Sequence, residues 1–142
     1  MGWQIAIDGP AASGKSTVAK GLALKLGLEY LDTGAMYRAV ALKALNSHIN
    51  LENEDEYKFL ETTTIDFVNG AIYLDGVDVS KSIRTIEVSN AASFVSKFKY
   101  VREKMVAAQR KLSMSKNIIL DGRDIGTVVL PNAELKIYQV AS

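Results

Sequence analysis

The chain has 142 residues, of which 48% are hydrophobic and 23% charged, a composition typical of a globular domain with an ordinary core. Its formal net charge of +1 gives no overall field that favours nucleic acid or a membrane surface, and we expect neither partner. No cysteine is present, which excludes disulfides, thiol catalysis and cysteine-based metal sites. The apolar stretches are shorter than the roughly 18 residues of a membrane span, and no signal peptide pattern occurs. We therefore expect a cytoplasmic protein.

The first predicted elements alternate between strand and helix. The apolar run of residues 3–8 is typical of a strand buried on both faces of a parallel sheet, and residues 29–32 form a second short strand. A helix over residues 17–26 is predicted to place Val18, Leu22 and Leu26 on one face, and a helix over residues 35–46 to bury Met36, Val40 and Leu45. This order predicts an α/β fold with a parallel sheet flanked by helices.

A G-x-x-x-x-G-K-[ST] motif, here called the phosphate loop, occupies residues 9–16 between the first strand and the first helix. Its glycines allow a tight turn whose N–H groups cradle the phosphates of a nucleoside triphosphate. Lys15 can reach the β- and γ-phosphate oxygens, and the Ser16 hydroxyl can bind Mg²⁺. The predicted donor-binding residues are Gly9, Pro10, Ala11, Ala12, Ser13, Gly14, Lys15, Ser16 and Thr17.

The middle of the chain changes from helical to strand periodicity. A helix is predicted over residues 55–62, and apolar residues then alternate with polar ones over residues 63–79. The pairs Asn69-Gly70 and Asp75-Gly76 are typical of tight hairpin turns, so this stretch predicts a small antiparallel meander. We interpret residues 63–95 as a lobe inserted between two parts of the core, residues 1–62 and 96–142.

Helical periodicity returns over residues 87–98 and 100–112. The second of these helices has four apolar residues on one face: Val101, Met105, Ala108 and Leu112. Two further core strands are predicted at residues 117–121 and 133–140.

Several polar residues follow the predicted strands. Asp121 ends a strand, where a second acidic Mg²⁺ ligand is typical of phosphate-loop proteins, although the Asp-Gly pair is also a common turn. Arginine can bind phosphate through two parallel hydrogen bonds, and Arg38 lies one turn into the helix that Thr33-Gly34 opens. We interpret Arg110 as ordinary surface charge and His48 as a solvated residue.

Six blocks of sequence together resemble the bacterial cytidylate kinases, a family of nucleoside monophosphate kinases. The phosphate loop lies in IDGPAASGKST at residues 7–17, and the other blocks are LDTGAMYR at 31–38, IR at 83–84, NAAS at 90–93, VRE at 101–103 and DGRDIGTVVLP at 121–131. These blocks occur in order over nearly the whole chain. The meander also resembles the nucleoside-monophosphate lobe of that family.

The resemblance implies transfer of the γ-phosphoryl group of ATP to CMP or dCMP. We expect the protein to be a monomer. It implies that Lys15, Arg38 and Arg123 act in catalysis and that Ser16 and Asp121 bind Mg²⁺. The residues implied to bind the acceptor are Thr33, Arg38, Ser93, Arg102, Arg123 and Asp124. Asp124 can accept from the cytosine amine while Ser93 or Arg102 donates to the ring, and such a site can reject uracil by up to about 10⁴-fold. No general base is needed, because the attacking phosphate oxygen is largely deprotonated near neutral pH.

Members of the family continue beyond this point into a helix, an arginine-bearing lid, a strand and a closing helix. We therefore expect this chain alone to bind nucleotide weakly or not at all. Two other functions remain open. Another phosphate-loop kinase, such as a shikimate-type enzyme, would share the loop but has no reason to carry the meander or the Asp-Gly-Arg-Asp block. A non-catalytic nucleotide-binding module is the second alternative.

Overall fold

The computed structural model describes residues 3–10, 14–68, 70–114 and 116–139. Their contacts separate the chain into two compact units. The first unit contains the residues up to Thr33 and those from Gln109 onward, and the second contains Gly34–Ala108. The predicted lobe of residues 63–95 lies inside the second unit, and its limits stay a prediction.

The elements of the described residues follow one another in a βαβα order that changes in the middle of the chain. They are β1 (Gln4–Asp8), α1 (Lys15–Leu26), β2 (Glu29–Asp32), α2 (Thr33–Asn46), a 3-10 helix (Glu54–Thr62), β3 (Ile65–Val68), β4 (Ala71–Leu74), β5 (Val77–Asp78), a 3-10 turn (Ser82–Arg84), α3 (Ile86–Val95), α4 (Lys99–Ser113), β6 (Ile118–Gly122), a π-helix (Ile125–Val129) and β7 (Leu135–Tyr138). None of the described helices is long and apolar enough to cross a membrane.

The first unit is built on a parallel four-stranded sheet in the order β2-β6-β1-β7. Asp121 near the end of β6 is in register with Ile7 of β1 and Asp32 of β2. The carboxyl ends of these strands therefore meet at one edge of the sheet, where ligands bind in α/β proteins. The predicted α/β fold is confirmed. The observed last strand, Leu135–Tyr138, is shorter than the predicted one over residues 133–140, and Val140 lies outside the described residues.

Helix α1 packs on this sheet through small side chains. Ala19 and Ala23 are buried in the same core cluster as Ile5 and Ile7 of β1. The predictions for Val18 and Leu22 agree with the structure, because both pack against this cluster. The prediction for Leu26 is wrong: its side chain is 58% exposed. Alanines let the helix approach the sheet closely, so the buried face turns towards them and away from the last leucine.

The second unit contains the antiparallel sheet β3-β4-β5, which confirms the predicted meander. Asp75 and Gly76 form the predicted turn between β4 and β5, with φ angles of 50° and 83°. Gly70 also has a positive φ, and its partner in the first turn, Asn69, lies outside the described residues.

Some predicted helices differ from the observed ones. The predicted helix over residues 55–62 is a 3-10 helix, Glu54–Thr62, whose first turn is capped by Asn53 accepting the N–H of Asp55 at 3.1 Å. Helix α3 ends at Val95, three residues before the prediction, and α2 buries Ala44 where Leu45 was expected. The 3-10 form has poorer hydrogen bonds, so tertiary contacts, here the fully buried Tyr57, stabilise it.

Helix α4 buries polar residues that periodicity did not predict. Val101 and Met105 are buried as expected, but Gln109 and Ser113 are buried too, at 2% and 0% exposure. The Ser113 hydroxyl donates to the Gln109 carbonyl at 2.7 Å, and Gln4 donates to the Ser113 carbonyl at 3.1 Å. These hydrogen bonds make the burial of polar groups tolerable. The two other apolar residues of the predicted face are only half-buried: Ala108 and Leu112.

Candidate active site

The two glycines of the phosphate loop have the positive φ angles that the motif suggests. Gly9 has a φ of 152° and Gly14 a φ of 80°, and L side chains rarely adopt either conformation. Gly14 directly precedes α1, so Lys15 and Ser16 occupy the first turn of a 12-residue helix. The positive end of a helix dipole favours phosphate at this position. Pro10 and Thr17 are exposed beside it, whereas three other predicted donor-binding residues lie outside the described residues: Ala11, Ala12 and Ser13.

Asp121 is the buried centre of a polar cluster at the end of β6. Its side chain is fully buried, at 0% exposure. Both the Ser16 hydroxyl, at 3.0 Å, and the Tyr30 hydroxyl, at 2.7 Å, donate to its Oδ2 atom. Its Oδ1 atom is buried and has no hydrogen-bond partner among the described residues. One carboxylate oxygen is thus held in place, and the other is left for a ligand.

The electrostatics of this cluster favour a bound cation. Burial raises the pKa of the Asp121 carboxyl above its ordinary value, and the negative charge of Asp32 acts in the same direction. Hydrogen bonds from Tyr30 and Ser16 and the positive charge of Lys15 oppose this shift. Burial also raises the pKa of Tyr30, so its hydroxyl keeps its proton at neutral pH and stays a donor. A cation at Asp121 would offset the cost of burying the carboxylate.

The residues present fit Mg²⁺. This ion binds carboxylate and hydroxyl oxygens, keeps several waters, and in phosphate sites takes only one or two protein carboxylates. The buried Oδ1 of Asp121 and the neighbouring Ser16 hydroxyl supply such oxygens. In the described residues there is no group of three acidic or histidine side chains that could hold a metal. A Mg²⁺ ion that also binds phosphate oxygens does not need such a group.

Thr33 contacts the same end of β6. Its side chain is 5% exposed, and its hydroxyl donates to the main-chain carbonyl of Asp121 at 2.9 Å. This bond ties the start of α2 to the end of β6. A contact of Thr33 with substrate stays a prediction.

Arg123 and Asp124 follow β6 and are both exposed. Sequence reasoning missed Asp8, whose carboxylate accepts the N–H groups of Ile125 and Gly126, because no local signal connects residues that are 117 and 118 positions apart. Arg110 is exposed, as the interpretation as surface charge expects, but it also makes specific contacts that the sequence did not suggest. Its guanidinium donates to two main-chain carbonyls, 18 and 19 residues further along the chain.

A pocket of about 280 Å³ lies within the second unit. It brings together two predicted acceptor residues, Arg38 of α2 and Ser93 of α3. Its other lining residues, which sequence reasoning did not select, are Gly34, Tyr37, Ser89, Ala92 and Ser96. The three serines stand at positions i, i+4 and i+7 of the α3 region, a spacing that places them on one helix face and could have been found in the sequence. The pocket therefore offers one cation and several hydroxyl groups.

Arg102 lies close to this pocket and is already partly engaged. Its Nη1 donates to the carbonyls of Ser96, at 3.3 Å, and Lys97, at 2.7 Å, just after α3. Burial raises the pKa of the pocket residue Tyr37, and the positive charge of Arg102 opposes that shift. Arg102 thus caps the end of α3 through its Nη1.

These features define a phosphate-loop nucleotide-binding protein of the α/β class. A glycine-rich loop joins β1 to α1, and a serine of the helix contacts a buried aspartate of the adjacent parallel strand. The family is settled by comparison with known proteins. The family model described as cytidylate kinase matches residues 5–142, and the chain belongs to this family.

Curated relatives agree with the family match. The chain is 51% identical over 140 residues to a cytidylate kinase of Acholeplasma laidlawii, and this alignment covers 99% of the chain and 63% of that protein. It is 53% identical over 139 residues to a cytidylate kinase of Clostridioides difficile, covering 97% of this chain and 64% of that protein. The chain therefore spans slightly less than two thirds of the length of these relatives.

Proposed function

We propose that the chain supplies the nucleotide-binding part of an enzyme that transfers the γ-phosphoryl group of ATP to CMP or dCMP, giving ADP and CDP or dCDP. Membership of the cytidylate kinase family supports this function. The observation that carries the acceptor assignment is the pocket lined by Arg38 and three serines. A guanidinium suits the phosphate of a nucleoside monophosphate, and hydroxyl groups suit the polar edge of a pyrimidine.

The donor side is assigned to the first unit. In this proposal the N–H groups of the phosphate loop hold the ATP phosphates, and Lys15 neutralises charge on the β- and γ-phosphates. Ser16 and Asp121 hold Mg²⁺, which when bound offsets negative charge on the transferring group. Tyr30 keeps the Asp121 carboxylate oriented, since its hydroxyl donates to Oδ2 at 2.7 Å.

The acceptor roles follow the residues that match the family motifs. Arg38 and Arg123 bind the acceptor phosphate, Asp124 accepts from the cytosine amine, and Ser93 and Arg102 donate to the ring. Arginine has five N–H donors, and the described contacts of Arg102 use only its Nη1, which is compatible with a further hydrogen bond to a base. Thr33 contributes by holding the strand end at Asp121.

Catalysis then consists of alignment and charge neutralisation. The attacking oxygen belongs to the acceptor phosphate, whose second pKa is about 6, so it is largely ionised at neutral pH without help from a base. Holding donor and acceptor in line and neutralising the transferring group are the main sources of rate in such transfers.

We also propose that the protein acts as a monomer in the cytoplasm. The lack of cysteine fits a reducing compartment, and the small net charge of +1 gives no reason to expect nucleic acid. Sedimentation of the purified chain across a concentration series tests the monomer, because self-association would raise the apparent mass with concentration.

The central experiment measures ADP release with CMP, dCMP, UMP, AMP and shikimate as acceptors, together with calorimetry of ATP and CMP. We expect weak but measurable binding of ATP and CMP by this chain, and any transfer to favour the two cytidine nucleotides above all others. Faster transfer to shikimate or AMP would contradict the acceptor assignment. Binding of ATP without any binding of CMP would instead indicate a nucleotide-binding module. The same measurements test whether this chain alone binds nucleotide as weakly as expected.

A further inference from the structure

The segment that carries Arg123 and Asp124 is held in an unfavourable backbone conformation. Asp124 has a φ of 57°, in the left-handed region that L residues seldom adopt. It directly precedes the π-helix Ile125–Val129, and its carbonyl accepts the N–H groups of Val128, at 2.9 Å, and Val129, at 3.2 Å. Strained conformations of this kind persist only where surrounding contacts enforce them.

The first enforcing contact comes from Asp8, the last residue of β1. Its Oδ1 accepts the N–H of Ile125 at 2.7 Å, and its Oδ2 accepts the N–H of Gly126 at 2.9 Å. The first N–H groups of a helix have no partner within the helix, so a carboxylate satisfies them well. A Cβ at Gly126 would lie in ordinary contact with Asp8 Oδ2 at 3.4 Å and closer, at 3.2 Å, to the Lys136 side chain.

The second contact comes from Arg110 in the last turn of α4. Its Nε donates to the carbonyl of Val129 at 3.1 Å, and its Nη2 donates to the carbonyl of Val128 at 2.5 Å. The last carbonyls of a helix also lack partners within the helix. The short π-helix is therefore held by a carboxylate at one end and a guanidinium at the other, each matched to the local helix dipole.

We propose that Asp8 and Arg110 are positioning residues for acceptor recognition: they fix the π-helix and so set the direction of Asp124 and Arg123. This inference rests on the proposed function, in which those two side chains bind CMP. Asp8 is the stronger of the two, because the amides it holds directly follow Asp124. It also precedes Gly9, so the strand end that begins the phosphate loop aligns the acceptor residues as well.

The test compares Asp8→Asn and Arg110→Gln with the matched controls Asp78→Asn and Lys111→Gln, which alter exposed residues elsewhere. Calorimetry gives the affinities for CMP, UMP and ATP, and hydrogen exchange reports the amides of residues 122–130. We expect CMP affinity to fall about tenfold in Asp8→Asn and about threefold in Arg110→Gln. The preference for CMP over UMP should shrink, exchange at 125–126 should accelerate, and ATP affinity should change less than twofold.

The outcomes separate the inference from the function on which it rests. A wild-type chain that binds no CMP overturns the proposed function before any variant is compared, and the inference with it. If the wild type binds CMP but both variants bind it normally, or lose CMP and ATP affinity equally, the positioning role is overturned and the proposed function stands. Should Asp8→Asn fail to fold, Arg110→Gln decides, since its contacts are made by an exposed side chain.

Discussion

In the first unit the candidate functional groups lie at the carboxyl ends of parallel strands and bond to one another, whereas in the second unit they line a pocket on two helices. Ser16, Tyr30 and Asp121 form one partly buried cluster, in which Tyr30 and Asp121 lie on strands paired in register. Arg38 and Ser93, by contrast, lie on helical surfaces and border open space. The polar groups of the first unit are therefore held in fixed positions by one another. Those of the second unit, a guanidinium and several hydroxyl groups, line an open pocket.

The supports of the two units differ as well. The strand ends of the first unit are held by hydrogen bonds between side chains and the main chain, such as that of Thr33 with the Asp121 carbonyl. In the second unit, ion pairs at partly exposed positions connect the elements: Lys43 with Asp75, and Lys104 with Glu61. Exposed ion pairs contribute less than about 1 kcal/mol each. Substitutions in the first unit should therefore cost more than equivalent ones in the second.

The largest effect is expected for Lys15→Ala. Loss of the ammonium group removes charge neutralisation at the transferring phosphate, so transfer should fall by about 10³-fold or more while CMP binding stays nearly intact. ADP release measures transfer, and calorimetry measures CMP binding. Lys25→Ala, an exposed lysine in the last turn of the same helix, is the control. Lost CMP binding in a folded Lys15→Ala protein would contradict separate donor and acceptor sites.

A smaller effect is expected for Arg38→Ala in the pocket of the second unit. Charge-assisted hydrogen bonds contribute roughly 1.5–3 kcal/mol, so CMP affinity should fall about 10- to 100-fold with little change in ATP affinity. Arg38→Lys should recover only part of this loss, because lysine cannot form the bidentate contact. Calorimetry with both nucleotides measures the effect, and Lys99→Ala is a charge-matched control at an exposed site. Full recovery by lysine would mean that charge alone matters.

The sequence predicted the parts of the site whose requirements are local. Gly9 and Gly14 could be recognised because only glycine readily adopts their φ angles, and Ser16 follows at a fixed distance along the chain. Asp121 could be placed because carboxyl ends of parallel strands converge. The acceptor residues were predicted through the family resemblance, since nothing in the spacing of Arg38 and Ser93 shows that two helices bring them to one pocket.

The contacts that hold these residues in place could not be predicted. Tyr30 and Asp121 are 91 positions apart, and Asp8 and Gly126 are 118 apart, so no periodic pattern connects them. The error at Leu26 has the same origin, because the orientation of α1 depends on which small residues let it approach the sheet. Local patterns predict elements and loops, whereas long-range hydrogen bonds depend on the register of the folded sheet.

The role of Tyr30 gives a third prediction, again for the first unit. Tyr30→Phe keeps the ring, and with it the contact with Lys20, but removes one of the two donors to Asp121 Oδ2. We expect a rise of about tenfold in the Mg²⁺ concentration needed for ATP binding, because a hydrogen bond to a charged group contributes roughly 1.5 kcal/mol. Titration of ATP binding with Mg²⁺ measures this. The control is Tyr138→Phe, because the Tyr138 side chain is 71% exposed and its loss of a hydroxyl should not change the Mg²⁺ requirement. Equal effects of the two substitutions would contradict a role of Tyr30 in holding Asp121.

The smallest effect is expected at Asp75 in the second unit. The hydrogen bond from Lys43, at 2.5 Å, holds the pKa of this carboxyl below its ordinary value, and the N–H of Thr64 adds to the shift. A lowered pKa in the folded state stabilises the protein above the unfolded pKa of 3.8, and this stability is lost as the pH falls through the folded value. Asp75→Asn should therefore lower the free energy of unfolding at pH 7 by less than about 1 kcal/mol, since both side chains are partly exposed.

Urea unfolding of the wild type and Asp75→Asn at pH 7 and in steps below pH 4 measures this difference. It should be constant at neutral pH and shrink only below pH 3.8, where the unfolded carboxyl becomes protonated and the folded one follows. Asp66→Asn in strand β3 of the same sheet is the control. A difference that persists unchanged into strong acid would show that the effect comes from the hydrogen bonding of the Asp75-Gly76 turn and not from an ion pair, because asparagine tolerates the left-handed φ of this position. The two units would then share one feature, because the meander of the second unit would depend on the geometry of a tight turn, as the phosphate loop of the first unit does.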